Sequence, residues 1–562
     1  MPSMHDLLIR DAWLVDGTGA PGRRASVAVS DGRIAAVGSG LGTARQVVAG
    51  DGLVLAPGII DTHTHYDAQI TWDQGLQPSP ELGVSTVVIG NCGFTIAPCR
   101  PQHRDLTMRN LTHVEGMSLE VLRHGIRWEF ESFPEYLALI ERLGHVPNLA
   151  AFIGHSSLRT WVMGEAATRR AASAAEVAEM RRLVGEGMAA GAVGFATSTA
   201  PQHNGEGGTP MPSRLADEAE LRALVGALGE AGRGVFMLTK GGATGVPFLE
   251  TLAAETGRPV VVAALLHNPT QPEAVFDELR HIAAAQSRGR RLYGQVSCCP
   301  LTNDFTLRSP YPFESLAAWL PAMQAEGEAL KRVYADKEFR RRVAEELARP
   351  AAIRLFNGEW QKLELVEAAR PENRRFEGQS IAALAAADGT APLDWLLDFS
   401  LAEDLDTVYS ALLLNSDEAA VGRMLSDPYA TIALSDAGAH LTFFCDAGYG
   451  LHLLGHWVRE RGVLSLEEAV WQLSGRPAAI FGIEDRGRIA PGLAADLLLF
   501  DAASVGRGPK QRVFDLPGGA PRLTTAARGV KGLWVNGVLV ADEAGARPPQ
   551  RPPGRLMRRF AA

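Results

Sequence analysis

The sequence predicts an α/β protein in which a (β/α)8 barrel of the TIM type is combined with a small β-sandwich domain formed by both termini. Three observations predict it: eight short apolar runs in the middle of the chain, helix-like stretches rich in Ala, Leu, Glu and Arg between several of them, and β-like segments at both ends. Strands that alternate with helices indicate parallel βαβ units, and eight such units suggest a closed barrel. The chain of 562 residues is long enough for a large barrel with an appendage.

The eight apolar runs are the predicted barrel strands. They span residues 59–63, 86–92, 149–155, 192–198, 234–239, 259–266, 292–298 and 430–436. Helix-like stretches such as 175–190, 218–231 and 273–285 separate several of them. The interval at about 300–428 is too long for one crossover, and its Trp, Pro and charged helical content predicts a helical insertion over the barrel mouth.

Both ends of the chain carry short β-like segments. Asp-Gly pairs at 16–17 and 31–32 are hairpin signals, and β-like runs return at 495–500 and 530–540. Neither end offers enough strands for a core of its own, so we expect the two ends to pair. The predicted domains are residues 1–56 and 485–545 for the two parts of the β-sandwich, 57–484 for the barrel with its insertion at about 300–428, and 546–562 for a C-terminal arm.

The composition argues against several classes of protein. A net charge of −9 gives no electrostatic reason to expect binding to nucleic acid or to an anionic membrane. No early segment has the pattern of a signal peptide, and no apolar run is long enough to span a bilayer. Five cysteines in so long a chain do not suggest a disulfide framework. The sequence therefore predicts a cytoplasmic protein, and a homo-oligomer is compatible with it because such barrels often associate.

The strongest sequence feature is the pair His63 and His65 at the end of the first predicted barrel strand. Side chains alternate across a strand, so residues two apart share a face. Two imidazoles placed in this way can hold one metal ion, and neutral imidazole is a common ligand of zinc and related divalent ions. The pair therefore predicts a metal site, and a pair of solvated histidines is the alternative.

Other polar residues also fall at predicted strand ends, where such barrels carry their chemistry. Cys92 lies in the segment Gly90-Asn91-Cys92-Gly93, and its thiolate is a soft ligand that could bridge two ions; the alternative is a small buried hydrophobe. His267 follows the sixth predicted strand and could contact metal or substrate, or be a satisfied core residue. Asp436 ends the eighth and could hold a water and accept its proton, or cap the next turn.

Several motifs resemble the amidohydrolase superfamily. Residues 57–67, Pro-Gly-Ile-Ile-Asp-Thr-His-Thr-His-Tyr-Asp, look like its first-strand signature, and residues 487–497 resemble its return into the β-sandwich. Residues 90–93, 154–159 and 190–195 are similar to the N-acyl-D-amino-acid deacylase (D-aminoacylase) branch. The resemblance covers nearly the whole chain and is weakest across the insertion.

The resemblance implies a metal-dependent barrel hydrolase. Carried over by motif, the residues of the first metal position would be His63, His65, Cys92 and Asp436. Cys92 would be shared with a second position, and His267 matches the sixth-strand ligand. Asp436 would act as general base and then general acid, while the metal would activate the water and polarise the carbonyl. The implied cofactor is zinc, as one or two divalent ions, and the implied partner is a small-molecule amide.

The fifth strand departs from the family pattern. D-aminoacylases carry a ligand histidine in a Thr-His-Met-Arg-like run, whereas this chain has Met237-Leu238-Thr239-Lys240. Either the site works with one ion, or Lys240 compensates as a metal ligand, carbamylated as in other amidohydrolases. An unmodified Lys240 ammonium would instead suit an anionic substrate.

A second departure concerns the substrate. The family's basic residues for a substrate carboxylate follow the sixth-strand histidine and the eighth-strand aspartate, where this chain has Asn268-Pro269 and the apolar pair Phe443-Phe444. An apolar wall holds a carboxylate poorly, since a bidentate Arg is preferred. The residues predicted to contact or orient the substrate are His155, Arg159, His440 and Phe443.

The sequence thus predicts a metal-dependent hydrolase of a C–N amide bond, similar to N-acyl-amino-acid deacylases. A larger or aromatic amide, or an ester or lactone, is the alternative substrate. A deaminase is disfavoured because no His-x-x-Glu proton shuttle lies near the fifth or sixth strand. A non-catalytic scaffold is a second alternative. The missing histidine on the fifth strand favours it, and the presence of His63, His65, Cys92 and Asp436 argues against it.

Overall fold

The computed structural model describes residues 4–242, 244–349, 356–439 and 446–562, without the side chains of residues 113, 115 and 207. The described strands are, in chain order, β1 (His5–Leu14), β2 (Arg23–Ser30), β3 (Arg33–Gly38), β4 (Ala44–Ala49), β5 (Val54–Pro57), β6 (Ile59–Asp61), β7 (Val84–Ile89), β8 (Asn148–Gly154), β9 (Gly194–Ser198), β10 (Val235–Thr239), β11 (Val260–Leu265), β12 (Leu292–Val296), β13 (Leu301–Phe305), β14 (Leu363–Glu367), β15 (Val408–Leu414), β16 (Ala430–Ile432), β17 (Leu497–Phe500), β18 (Gly506–Leu516), β19 (Ala520–Arg528), β20 (Val530–Val535), β21 (Val538–Asp542) and β22 (Gly545–Ala546).

The described α-helices are α1 (Arg104–Glu115), α2 (Leu119–Gly125), α3 (Phe133–Leu143), α4 (His155–Met163), α5 (Ala174–Ala190), α6 (Glu218–Ala231), α7 (Val246–Thr256), α8 (Ala274–Ser287), α9 (Leu320–Met323), α10 (Gly327–Ala335), α11 (Lys337–Leu347), α12 (Ile381–Asp388), α13 (Pro392–Ala402), α14 (Glu418–Leu425), α15 (Tyr449–His452), α16 (Leu466–Leu473) and α17 (Gly475–Phe481). Within this part of the chain, no helix combines the length and the apolar character that crossing a membrane requires.

The barrel is a curled parallel sheet with the strand order β16-β12-β11-β10-β9-β8-β7-β6 in the described residues. Its two edges meet where Thr64 and Ala437 form a parallel bridge and the His65 N–H donates to the Ala437 carbonyl at 2.8 Å. The strands are apolar and almost completely buried because helices cover the outside and side chains fill the inside. The predicted barrel is therefore confirmed.

Both ends of the chain contribute to one separate sheet. Its strand order is β22-β21-β20-β17-β5-β1-β2-β3, with β4 parallel to β1. The join is at β17, which pairs with β5 on one side and β20 on the other. The predicted domain built from the two termini is confirmed as part of the fold class, while the exact domain boundaries stay predictions.

The insertion before the last barrel strand is more than helical. It contains α9 to α13 and an antiparallel sheet with the order β13-β15-β14. The central strand, β15, alternates between buried and half-buried residues, so it fits a sheet with one covered face. The insertion has its own apolar core, with stacked rings of Phe313 and Trp319.

The C-terminal arm packs against the barrel. The N–H of Leu149, at the start of β8, donates to the carbonyl of Arg555, and the N–H of Met557 donates back to the Leu149 carbonyl at 2.7 Å. Met557 and Phe560 are buried. The arm thus covers the end of the barrel where the strands begin. The carboxyl ends of the strands, where barrels of this type carry their active-site residues, lie at the opposite end.

Candidate metal centre

Four predicted ligands meet at the carboxyl ends of barrel strands. The ligand atoms of His63, His65 and Cys92 all lie within 4.8 Å of one another, and all three residues are buried. Asp436, which follows β16, places Oδ1 3.2 Å from His63 Nε2 and 3.4 Å from His65 Nε2. The alternation of side chains along the extension of β6 brings both imidazoles to this point.

The turn that carries Cys92 is held in an uncommon backbone shape. Cys92 has a φ of +57°, in the left-handed region, and Gly90 before it has a φ of +84°. The Asn91 amide pins the turn by donating to the carbonyls of Thr64 and Val88. At Gly93 a Cβ would lie 2.6 Å from the Ala196 carbonyl, so only glycine permits this close approach.

Three distances among the four groups suit ligands of one divalent ion. Zinc bonds of about 2.0–2.3 Å in a tetrahedron separate the ligand atoms by about 3.3–3.6 Å. The two Asp436–histidine distances lie at 3.2 and 3.4 Å, and Cys92 Sγ lies 3.5 Å from His63 Nε2. Imidazole, thiolate and carboxylate are all ligands that zinc accepts. The residues present therefore fit a metal ion.

The charges at the centre also suit a cation. Burial alone would raise the pKa of Cys92, but His63 and His65 lower it to about 7. Burial would lower the pKa of His63, whereas Asp436 and Cys92 raise it. Burial raises the pKa of the neighbouring Asp61 to about 7. Metal ligands must be deprotonated. A cation bound between Cys92 and the histidines would therefore replace the protons that these side chains carry in its absence.

Gln295, in the interior of β12, is a site residue that the sequence analysis missed. Its Oε1 lies 2.6 Å from His63 Nδ1, and its Nε2 donates to the Thr62 hydroxyl at 3.2 Å. The contact with the Thr62 hydroxyl orients the Gln295 amide so that its Oε1 accepts a hydrogen bond from His63 Nδ1–H. The lone pair of His63 Nε2 is then directed at the centre. A glutamine inside an otherwise apolar strand is a sequence feature that could have indicated it.

The fifth strand contributes Thr239 in place of a histidine. Its hydroxyl lies 3.0 Å from Cys92 Sγ. Lys240, predicted as an alternative metal ligand, places its ammonium 2.7 Å from Glu278 on α8. The role of Lys240 toward a metal stays a prediction, and in this structure its partner is a carboxylate.

His267 does not belong to the group of ligand atoms within 4.8 Å of one another. Its main chain is fixed by Asn415, which accepts from the His267 N–H and donates to its carbonyl at 2.7 and 2.9 Å. Its ring lies beside Phe276, with 6.4 Å between ring centroids. Its role as a ligand stays a prediction.

His155 and Arg159 belong to a buried polar cluster with Glu220. His155 Nε2 lies 2.8 Å from a Glu220 oxygen and Nδ1 lies 2.8 Å from the Thr197 hydroxyl, while Arg159 donates to Glu220 at 2.5 and 2.6 Å. Burial would raise the pKa of Glu220, but its two basic partners hold it below the ordinary value. Burial lowers the pKa of His155. Substrate contact by His155 and Arg159 stays a prediction, and Glu220 was not anticipated.

Asp446 and Arg507 form a second feature that the sequence analysis missed. Arg507, on β18, lies 3.4 Å from the buried Asp446, so the β18–β19 hairpin contacts the segment that begins at residue 446. Burial raises the pKa of Asp446 to about 7, and the charge of Asp436 acts in the same direction. The predicted substrate residues His440 and Phe443 lie outside the described residues.

Related proteins match this chain over nearly its whole length. The model of the amidohydrolase family matches residues 46–541. The N-acyl-D-glutamate deacylase of Alcaligenes xylosoxydans xylosoxydans is 30% identical over 573 residues, covering 100% of this chain and 98% of the relative.

Two solved structures extend the likeness to the whole fold. A crystal structure of N-acyl-D-glutamate deacylase from Bordetella bronchiseptica, complexed with zinc and a phosphonate inhibitor that mimics the tetrahedral intermediate, has a TM-score of 0.68 and 25% identity and covers 99% of this chain and 100% of that one. A D-aminoacylase, studied for the functional role of its binuclear metal centre, has a TM-score of 0.67 and 25% identity with the same coverage.

Proposed function

Because this chain belongs to the amidohydrolase family and is a metal-dependent amide hydrolase, we propose that it deacylates an N-acyl amino acid or a related small-molecule amide, with Asp436 as the general base and acid. The observation that carries the proposal is the meeting of His63, His65, Cys92 and Asp436 at one point, with spacings that suit a single divalent cation. Zinc is the proposed ion because this set combines nitrogen, sulfur and oxygen ligands.

Asp436 is the proposed carrier of the protons in the reaction. A divalent ion at the centre would polarise the amide carbonyl and make a water there more acidic. Asp436 Oδ1 faces both histidines and would hold the ion, so the other oxygen of this carboxylate can accept the proton that the water loses as its oxygen adds to the carbonyl carbon. The same carboxyl then gives that proton to the leaving nitrogen as the C–N bond breaks, so the products are a carboxylic acid and an amine.

Gln295 and Ser435 hold His63 and Asp436 in position. Gln295 keeps His63 in the tautomer whose Nε2 faces the centre, and the Ser435 hydroxyl donates to the His63 carbonyl at 3.3 Å. Their effect is to fix the directions of the first histidine and of the segment that carries Asp436.

The relatives and this chain's own cations favour different substrate classes. The relatives named above act on N-acyl-D-glutamate or are D-aminoacylases, which favours an N-acyl amino acid. In this chain, however, Arg159 donates hydrogen bonds to Glu220, and Lys240 forms an ion pair with Glu278. These two side chains, the candidates for pairing with an anionic substrate, thus already have carboxylate partners, which favours a less charged or larger amide as the second candidate.

Metal content and hydrolysis, measured together, test the proposal. Purified protein and His63→Ala are assayed by elemental analysis and on a panel of N-acyl-L-amino acids, N-acyl-D-amino acids, uncharged amides, esters and lactones. We expect bound divalent metal and amide hydrolysis in the wild type, and the loss of both in the variant. Protein that binds no metal and hydrolyses no amide, even after addition of zinc, would contradict the proposal.

A further inference from the structure

The loop between β9 and α6 forms one wall beside the candidate metal centre. The His203 ring, in this loop, packs edge-on against Phe94 with 5.0 Å between ring centroids, and Phe94 lies 6.3 Å from the ring of His65. Ser198, the last residue of β9, anchors His203 because its hydroxyl lies 2.6 Å from His203 Nδ1. The loop thus lies at the carboxyl end of the barrel strands, where substrates bind in barrels of this type.

Arg214, near the end of the same loop, is held against the main chain of His203. Its Nη1 donates to the His203 carbonyl at 3.2 Å and to the side-chain oxygen of Asn204. The neighbouring Ser213 ties this segment to β9, since its hydroxyl donates to the Ser198 carbonyl at 2.8 Å. The half-buried guanidinium is therefore linked to His65, a proposed metal ligand, through the rings of His203 and Phe94.

The charge of Arg214 is not balanced by an acid. Among the residues that the structure describes, its two acceptors are uncharged oxygens, and its Nε and Nη2 donate to none. The acidic residues close by in the loop are used elsewhere: Glu206 pairs with Arg109 on α1, and the Asp217 carboxylate caps α6 by accepting from the Glu220 N–H. Burial lowers the pKa of Arg214, and no carboxylate offsets this loss of solvation.

Arg214 differs in this respect from Arg159 and Lys240, which have carboxylate partners. The unused N–H groups of its guanidinium can donate two parallel hydrogen bonds to a carboxylate. In an N-acyl α-amino acid, a single carbon separates the scissile nitrogen from the carboxylate. The contacts that join Arg214 to the centre pass through two rings, so a carboxylate bound by Arg214 belongs to a more distant part of the substrate.

We propose that Arg214 is a specificity-determining residue, whose guanidinium binds an acidic group of the substrate several bonds away from the scissile amide. The substrate class is then an amide with a carboxylate at the end of a chain, on its acyl side or its amine side. This inference rests on the proposed function, because it concerns the substrate of the same site. The Phe94 ring makes the intervening wall apolar, which suits a chain of methylene groups.

Binding of simple acids to the metal-loaded, full-length protein tests the inference without hydrolysis. Dicarboxylates from succinate to suberate are compared by calorimetry with monocarboxylates of the same length, because one carboxylate can bind at the centre while the other reaches Arg214. In the wild type, we expect the longer dicarboxylates to bind about 10–100-fold more tightly than their monocarboxylate partners, as charge-assisted hydrogen bonds allow. Arg214→Gln should lose this difference and Arg214→Lys should keep part of it; Arg214→Met replaces Arg214→Gln if the latter does not fold.

Kinetics on matched amides show where the acidic group lies. Amides with a terminal carboxylate on the acyl or the amine side, at increasing chain length, are compared with the corresponding carboxamides. The ratio of kcat/KM for carboxylate over carboxamide should fall about 10–100-fold in Arg214→Gln, through KM. The control is Arg109→Gln, which removes the ion pair on the other side of the same loop, at Glu206, and should leave the ratio unchanged.

Three results would overturn the inference: dicarboxylates that bind no more tightly than monocarboxylates at any length, an equal difference in wild type and Arg214→Gln, or an equal fall of the ratio in Arg109→Gln. A preference for dicarboxylates that depends on Arg214, without hydrolysis of any amide, would reject the proposed function and leave this subsite intact. Amide hydrolysis with no difference between carboxylates and carboxamides would do the reverse.

Discussion

The Nδ1 atom of His63 lies 2.6 Å from Oε1 of Gln295, although 232 positions separate the two residues. A neutral amide, not a carboxylate, thus accepts the hydrogen bond that His63 Nδ1–H donates. The amide fixes the tautomer but adds no negative charge, so the imidazole is less basic than it would be beside an aspartate or glutamate.

Gln295→Leu should weaken metal binding by about 10–100-fold, because partners of metal-bound histidines typically contribute this much and the leucine leaves a buried Nδ1–H unpaired. Competition with a chromogenic chelator measures the affinity. Gln295→Glu keeps an acceptor and adds charge, so it should bind metal at least as tightly as the wild type. Equal affinity in Gln295→Leu and the wild type would show that the contact has no such role.

Asp436→Asn should lower kcat by about 10²–10⁴-fold, because the amide cannot take up a proton while its size is unchanged. Steady-state kinetics on any amide substrate measure this change, and circular dichroism checks the fold. The matched control is Asp427→Asn, a half-buried aspartate before the same strand whose Oδ1 accepts from the Tyr429 N–H. Full activity in Asp436→Asn would remove Asp436 from the role of base.

Thermal stability should fall as the pH drops below about 6.5, the ordinary pKa of histidine, in part because of His155. Burial lowers the pKa of His155 in the folded protein, so the unfolded chain binds more protons in this range and gains stability relative to the native state. The stabilising contribution is complete above this pH and is lost with falling pH. Unfolding midpoints of metal-loaded wild type and His155→Gln between pH 8 and pH 5 measure it; the variant should show the smaller decline, and parallel curves would contradict the assignment.

Glu220→Gln should destabilise the protein by about 3–5 kcal/mol, because it leaves the buried guanidinium of Arg159 without its carboxylate. The control is Glu179→Gln, whose carboxylate pairs with Arg182 at the surface and should matter by no more than about 1 kcal/mol. Denaturant unfolding of both variants gives the difference. Similar losses for the two would mean that the buried cluster is no stronger than a surface ion pair.

The sequence was most informative where local geometry decides the outcome. His63 and His65 share a face because strands alternate, and apolar runs mark the buried barrel strands. Gln295, Glu220 and Arg507 were missed because their roles depend on partners far away in the chain. No local pattern shows which partner a buried polar group will find.

The fifth and sixth strands illustrate the same limit. At the end of β10 the sequence offers both Thr239 and Lys240, and only the packing shows that the hydroxyl faces Cys92 while the ammonium reaches Glu278. His267 follows an apolar strand as a ligand would, and only the structure shows that Asn415, in the insertion, fixes its main chain. The three-stranded sheet of the insertion was likewise not predicted, since the Trp, Pro and charged helical content of this interval indicated helices alone.

Removal of residues 553–562 should destabilise the protein by about 3–6 kcal/mol, since burial of Met557 and Phe560 contributes about 1.5–3 kcal/mol each. The deletion also takes away the backbone partners of Leu149 and the Pro553 carbonyl, to which Asn536 donates at 2.9 Å. Because the arm lies at the end of the barrel away from the centre, metal stoichiometry should stay unchanged at low temperature. Thermal unfolding and elemental analysis of the truncated protein measure the two quantities, and removal of Ala562 alone is the control. A truncated protein that unfolds at the wild-type midpoint would show that the arm adds no stability, and one that loses its metal while still folded would show that the arm acts on the centre.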